Sequence, residues 1–116
     1  MALKKIVTQI HEKTKRNYLA RMVLEKKNNM KISKKYDYQY WDGNRKYGYG
    51  GFKYIPGRLT SIAKKLIQTY KLNNNSKILD VGCGKGFLLF EIKKLLPGIS
   101  ITDFDISSYA IKFSKK

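Results

Sequence analysis

The apolar positions of the chain gather into a few periodic stretches, and the densest lies in residues 77–105, KILDVGCGKGFLLFEIKKLLPGISITDFD. Ile78, Leu79 and Val81 form a short run with a β-branched bias, long enough for one buried strand. FLLFEIKKLL is rich enough in Leu and Phe for a buried helix, which Pro97-Gly98 stops. Ile99 to Phe104 returns to β-type residues, and Asp105 is expected to close a second strand. Upstream, Leu59, Ile62, Ala63, Leu66, Ile67 and Tyr70 recur at the spacing of one helical face, with Lys64, Lys65 and Gln68 opposite. This amphipathic helix should pack beside the first strand, joined to it by the polar turn Asn73–Ser76. Nearer the N-terminus, Ile6, Val7, Ile10, Tyr18, Leu19, Met22 and Val23 make a helical stripe that HEKTKRN (11–17) interrupts. It predicts one or two amphipathic helices. After Asp105, Ser107 or Ser108 is placed to cap a last helix, whose apolar side begins with Tyr109, Ala110, Ile111 and Phe113.

Between the two strands Gly82, Gly84 and Gly86 stand at alternate positions. A tight strand-to-helix turn needs backbone angles that a side chain disfavours, and a ligand there needs close approach of the main chain. Strand, glycine turn, helix, strand, acid is the first half of a Rossmann-type unit. In that topology an acid at the tip of the second strand, here Asp105, reaches the two hydroxyls of a ribose. The dinucleotide fingerprint G-x-G-x-x-G is not met, because its third glycine would be Phe87; the spacing is G-x-G-x-G, preceded by Asp80.

The stretch Leu79-Asp80-Val81-Gly82-Cys83-Gly84-Lys85-Gly86 resembles motif I of the class I S-adenosylmethionine-dependent methyltransferases. Asp105-Ile106-Ser107, with Ala110-Ile111 after it, resembles the acidic motif that follows their second strand. Tyr40-Trp41-Asp42-Gly43 and Tyr47-Gly48-Tyr49-Gly50-Gly51 resemble the N-terminal region of some bacterial members. The resemblance covers residues 36–116. It implies S-adenosyl-L-methionine as cofactor, with Asp80 at the methionine amino group and Gly82, Cys83, Gly84 and Gly86 along the methionine and sugar. It places Asp105 with Ile106 at the ribose end, and Tyr47 and Tyr49 in a segment lying over the site. Asp103 departs from the family, where glycine is frequent two positions before the acid; a second carboxylate there adds repulsion unless it points away. The resemblance names neither a general base nor a methyl acceptor. The family's later strands have no counterpart in these residues, so the chain is expected to be a fragment or a reduced protein that borrows surface from another chain.

Charge and composition alter this picture in two places. The 116 residues carry 25 Lys and Arg against 8 Asp and Glu, a net of +17, and residues 1–35 alone hold 11 basic and 2 acidic residues, a net of +9. Such a balance suits a nucleic-acid partner; richness in Lys, Asn, Ile and Tyr is equally the mark of an AT-rich genome. Residues 36–57 crowd eight aromatic rings, interrupted by Gly43, Gly48, Gly50, Gly51 and Gly57, which argues for a loop with short extended pieces. Most of its rings should pack on the core, although rings in such a loop also suit base stacking. Arg45 and Arg58 are its candidate cations for a carboxylate or phosphate. A single Cys excludes an internal disulfide. Cys83 reads as a small filler, with no His nearby to activate it, and the lone His11 reads as an exposed helix residue; no metal site is expected. No apolar run approaches 18 residues and no signal-peptide core is present, so a cytoplasmic protein with no membrane partner is expected.

The expected fold class is α/β: a truncated Rossmann-like βαβ unit preceded by basic α-helices and an aromatic/glycine-rich loop. The expected organisation is a basic helical extension (1–35), the aromatic loop (36–57) and the N-terminal half of a Rossmann-like cofactor-binding domain (58–116). Two parallel strands leave an open edge and apolar faces, so the N-terminal helices, a second copy or a partner chain should cover the sheet. Three functions fit: a methyltransferase or its cofactor-binding half, a basic nucleic-acid-binding or adaptor module on the same scaffold, and a non-methylating user of the same cofactor.

Overall fold

A computed structural model describes residues 26–116 together with Lys4, Ile6, Lys13 and Leu19. The N-terminal stripe and His11 lie, Ile6 and Leu19 apart, outside the described residues. The elements are α1 (Lys26–Ser33), α2 (Tyr38–Trp41), α3 (Thr60–Tyr70), β1 (Lys77–Val81), α4 (Phe87–Leu95), β2 (Ser100–Phe104) and α5 (Ser108–Lys112).

β1 and β2 pair in parallel, with Ile78 opposite Ile101, Asp80 opposite Asp103 and Val81 opposite Phe104. Strand alternation sends Ile78 and Ile101 to one face, where they join Ala63 from α3, Ile92 from α4 and Ile99. Ile99 is fully buried just ahead of β2, and burial of a side chain of this size stabilises by roughly 1.5–3 kcal/mol. α3 and α4 pack on each other across this layer. An open groove of about 370 Å³ runs between α3, β1 and α4, lined by Leu66, Tyr70, Leu72, Ile78 and Leu88 among others. The opposite face is bare: Leu79, Val81 and Phe104 are 66%, 70% and 61% exposed. None of the described helices covers it.

The turn chemistry explains the boundaries. α3 ends at Lys71, a non-glycine residue with φ +51°. The Leu72 N–H bonds back to the Ile67 carbonyl and the Lys71 N–H to that of Gln68, the paired bonds of a left-handed helix stop. Past α4, the Asn74 side chain accepts from the Gly98 N–H at 2.7 Å and ties the two loops at that end of the sheet. β2 ends at Phe104, one residue short of the expected strand end, because the Asp105 carboxylate turns to bond backbone N–H groups. The aromatic segment is less irregular than its composition predicts. Its glycines begin only at Gly43, and Asp37 accepts from the Gln39 N–H at 3.0 Å, so Tyr38–Trp41 forms one helical turn before the loop starts. No helix among the described residues is long and apolar enough to cross a membrane.

Candidate functional site

The glycine turn is pinned from both sides. The Phe104 carbonyl accepts from the N–H groups of Gly82 and Cys83 at 2.7 and 3.2 Å, which binds the start of the turn to the end of β2. Asp105 completes the fastening: Oδ2 accepts from the Gly84 N–H and Oδ1 from the Ser107 N–H, each at 2.7 Å. A carboxylate offers about four lone-pair sites, so two acceptor positions on Asp105 remain for a ligand. Gly82, Gly84 and Gly86 all have positive φ, but their surroundings differ. A β-carbon on Gly82 would meet nothing within 4 Å, whereas one on Gly84 would stand 2.9 Å from the Trp41 ring. The space beside Gly82 is open; that beside Gly84 is filled by the protein itself.

Three carboxylates converge at this end of the sheet. Burial, then the charges of Asp103 and Asp105, raise the Asp80 carboxyl above its ordinary value. Asp103 thus adds repulsion at Asp80, its neighbour across the strands. Burial and the same three acids push the Cys83 thiol up to about 11, which leaves it protonated and inert as a nucleophile. In a chain of net charge +17, this is a local concentration of negative charge, which attracts a cation. Among the described residues no group of three or more His, Cys, Asp or Glu side chains is arranged to hold a metal ion.

The aromatic segment is strapped onto the turn by residues to which the sequence assigns no part in the site. Lys85 is 6% exposed, and its ammonium donates to both Asp42 oxygens at 2.8 and 2.7 Å and to the Phe52 carbonyl at 2.8 Å. Asp42 also accepts from the Tyr109 hydroxyl at 2.7 Å and the Phe52 N–H at 3.0 Å. Burial alone would raise the Asp42 carboxyl; the bonds from Lys85, Tyr109 and Phe52 outweigh it and hold it below its ordinary value. Burial, followed by the bond to Asp42, pushes the Tyr109 hydroxyl up to about 12. Trp41 Nε1 donates to Ser107 Oγ at 2.8 Å, and Ser107 in turn accepts from the Ala110 N–H and caps α5. Further along, Glu91 on α4 is buried and accepts from Tyr54 and Thr60. The Tyr54 bond leads in holding its carboxyl below the ordinary value, against burial. A sequence signal for this strap did exist. A lysine between two glycines of a tight turn has little room to reach solvent, and Asp42 is the acid inside the aromatic run.

The structure brings some of the expected site residues together and separates others. Asp80, Gly82, Cys83, Gly84 and Asp105 meet at the strand ends, and Ile106 follows, 80% exposed. Gly86 lies behind them, near Ser114 and Lys115. Tyr49 stacks on Trp41 with the rings 11° from parallel and 5.3 Å apart, so it reaches the turn through that ring. Tyr47 sits on the α1 side of the segment, its carbonyl accepting from Ser33 Oγ and its ring under the Lys46 ammonium. Most rings of the segment do pack on one another, in a chain from Tyr36 through Tyr40, Trp41 and Phe52 to Phe87 of α4. Arg45 donates to the Gly48 carbonyl and Arg58 is exposed ahead of α3.

Residues 72–116 match the family described as a methyltransferase domain. β1, the glycine turn, α4 and β2 all fall within that span, and the resemblance read from residues 79–107 is borne out. No curated protein and no solved structure matches the chain.

Proposed function

We propose that residues 58–116 are the S-adenosylmethionine-binding half of a class I, Rossmann-like methyltransferase. The observation that carries this reading is the pairing of the open space at Gly82 with the carboxylates of Asp80, Asp103 and Asp105. A sulfonium nucleoside has a cationic sulfur, a cationic amino group and two vicinal hydroxyls, and these residues fit each. Asp80 faces the cationic part, where a positive charge relieves the repulsion that Asp103 and Asp105 impose on it. Asp105 keeps two acceptor positions for the hydroxyls while its other bonds hold the carboxylate still. Gly82 lets the ligand lie against the main chain. The cofactor, when bound, supplies an activated methyl for an in-line displacement. The chain's own part is to orient it and exclude water.

Titration calorimetry of the full chain with S-adenosylmethionine tests the reading. Asp105→Ala also releases the Gly84 N–H, so Asp80→Asn is the cleaner variant. Loss of one charge-assisted contact should weaken binding about ten- to hundred-fold. No measurable binding by the parent chain, or equal affinity in Asp80→Asn, would refute it.

A further inference from the structure

We propose that α1 and the turn at residues 44–47 form a binding surface for single-stranded nucleic acid, which they hold through its phosphates. Ser33 Oγ donates to the Asn29 carbonyl within α1 and to the Tyr47 carbonyl across from it, so helix and turn make one surface; α1 also packs on α2. Residues 26–50 hold five lysines on or just after α1, with Arg45 and Lys46 in the turn, and all seven are exposed. The two acids of this stretch are both occupied elsewhere, Asp37 in capping α2 and Asp42 by the buried Lys85. Among the described residues the carboxylate ion pairs are Lys85–Asp42 and Lys94–Glu91, so no described acid neutralises any of the seven cations. The density exceeds that of residues 51–116: 7 basic and 2 acidic residues in 25 positions, a net of +5, against 12 basic and 4 acidic in 66, a net of +8.

Cations of one sign suit any polyanion; the rings narrow the choice. Tyr38 and Tyr49, in and just beyond α2, pack on Tyr109 and Trp41 respectively yet stay about half exposed, and the uncovered part of such a ring offers an unpaired base a stacking partner worth about 1–3 kcal/mol. A duplex hides its base faces, so rings beside a basic surface favour a single strand. Position adds a consequence. Trp41 closes α2 and stands against Gly84, so α2 links this surface to the glycine turn. Where the cofactor reading holds, a bound strand is the candidate methyl acceptor; the binding surface itself does not rest on that reading.

The test is fluorescence anisotropy of the full chain with labelled single-stranded RNA, single-stranded DNA and duplex DNA of one length, each across a salt series. Contacts to four to seven phosphates should give a log–log salt slope of about −3 to −5. Either single strand should bind at least five-fold tighter than the duplex, and the tighter of the two names the source. Lys26→Gln, Lys27→Gln and Lys31→Gln together should reduce the slope by about 2, whereas Lys64→Gln, Lys71→Gln and Lys77→Gln, with the same loss of net charge, should reduce it by less than half as much. Equal losses in the two triple variants would reduce the effect to net charge and overturn the proposal, as would duplex binding as tight as single-strand binding. Cofactor calorimetry on the first triple separates the two readings. Retained cofactor affinity with lost strand binding supports this surface, and strand binding in a chain that ignores the cofactor sinks the methyltransferase reading alone.

Discussion

Trp41 and Gly84 leave each other no slack: a β-carbon on Gly84 would stand 2.9 Å from Cη2 of the indole. Gly84 also has φ +59°, in the left-handed region that costs a side chain about 1–2 kcal/mol. Gly84→Ala combines that strain with an overpacked contact of about 1–3 kcal/mol and should destabilise by about 2–5 kcal/mol in urea unfolding. Gly82→Ala meets nothing and should cost only the strain. For cofactor affinity the order should reverse, since the open side of the turn is at Gly82. Equal stability losses in the two variants would show that Trp41 yields.

The Asp42–Lys85 pair predicts a large effect from a residue outside the glycine motif. Asp42→Asn leaves a buried ammonium short of its counter-ion, and breaking such a pair costs about 3–5 kcal/mol; Asp42 is 21% exposed in its side chain, which favours the low end. Replacing both, as Asp42→Asn with Lys85→Met, should restore part of the loss. Acid unfolding carries the same signature. The folded-state carboxyls of Asp42 and Glu91 lie below their ordinary 3.8 and 4.5. Their stabilisation is therefore complete above the ordinary values and disappears as pH falls through the folded ones. The urea midpoint should hold steady from neutral pH to about 5 and drop below 4.5, with a shallower drop in the double variant.

At Asp80 the sign is opposite. Its carboxyl is raised in the fold, so it opposes folding at neutral pH, and that penalty lifts as pH falls toward 3.8. Asp80→Asn should stabilise the chain by about 0.5–1 kcal/mol, the scale of a facing like-charge pair, while it weakens the cofactor. The same substitution should lower the Cys83 thiol from about 11. Disulfide-reagent labelling at pH 8 should run about 10²-fold slower than for a free thiol in the parent chain and faster in the variant.

Lys71 offers a gain without functional cost. It ends α3 at φ +51°, where glycine is the unstrained choice, so Lys71→Gly should stabilise by about 1 kcal/mol and raise the thermal midpoint. A fall would mean that the helix stop does not need the left-handed residue.

The parts legible in the sequence were those that repeat or punctuate. The period of Ile62, Ala63 and Leu66 fixed α3, the run of Phe and Leu fixed α4, and three alternating glycines fixed the turn between strands. The strap was legible only in its separate parts, Lys85 between two glycines and Asp42 inside the aromatic run, and not in their pairing. Asp42 and Lys85 are 43 residues apart, and Trp41 and Ser107 are 66 apart; no periodicity joins such partners, only the folded backbone does. The aromatic run hid α2 for a different reason. Its glycines dominate the composition, yet they all follow the helical turn that Asp37 caps.

The unclad side of the sheet has a practical consequence for every titration suggested above. Val81 and Phe104 end the two strands on that side, and Ile106, 80% exposed, follows Asp105 in the chain. A second copy sealing these residues away from water would crowd the nucleoside's entrance. Cofactor affinity would then vary with the amount of protein in the cell, by mass action, and dilution would be the simplest way to tell an intrinsically weak binder from one hindered by its own neighbours.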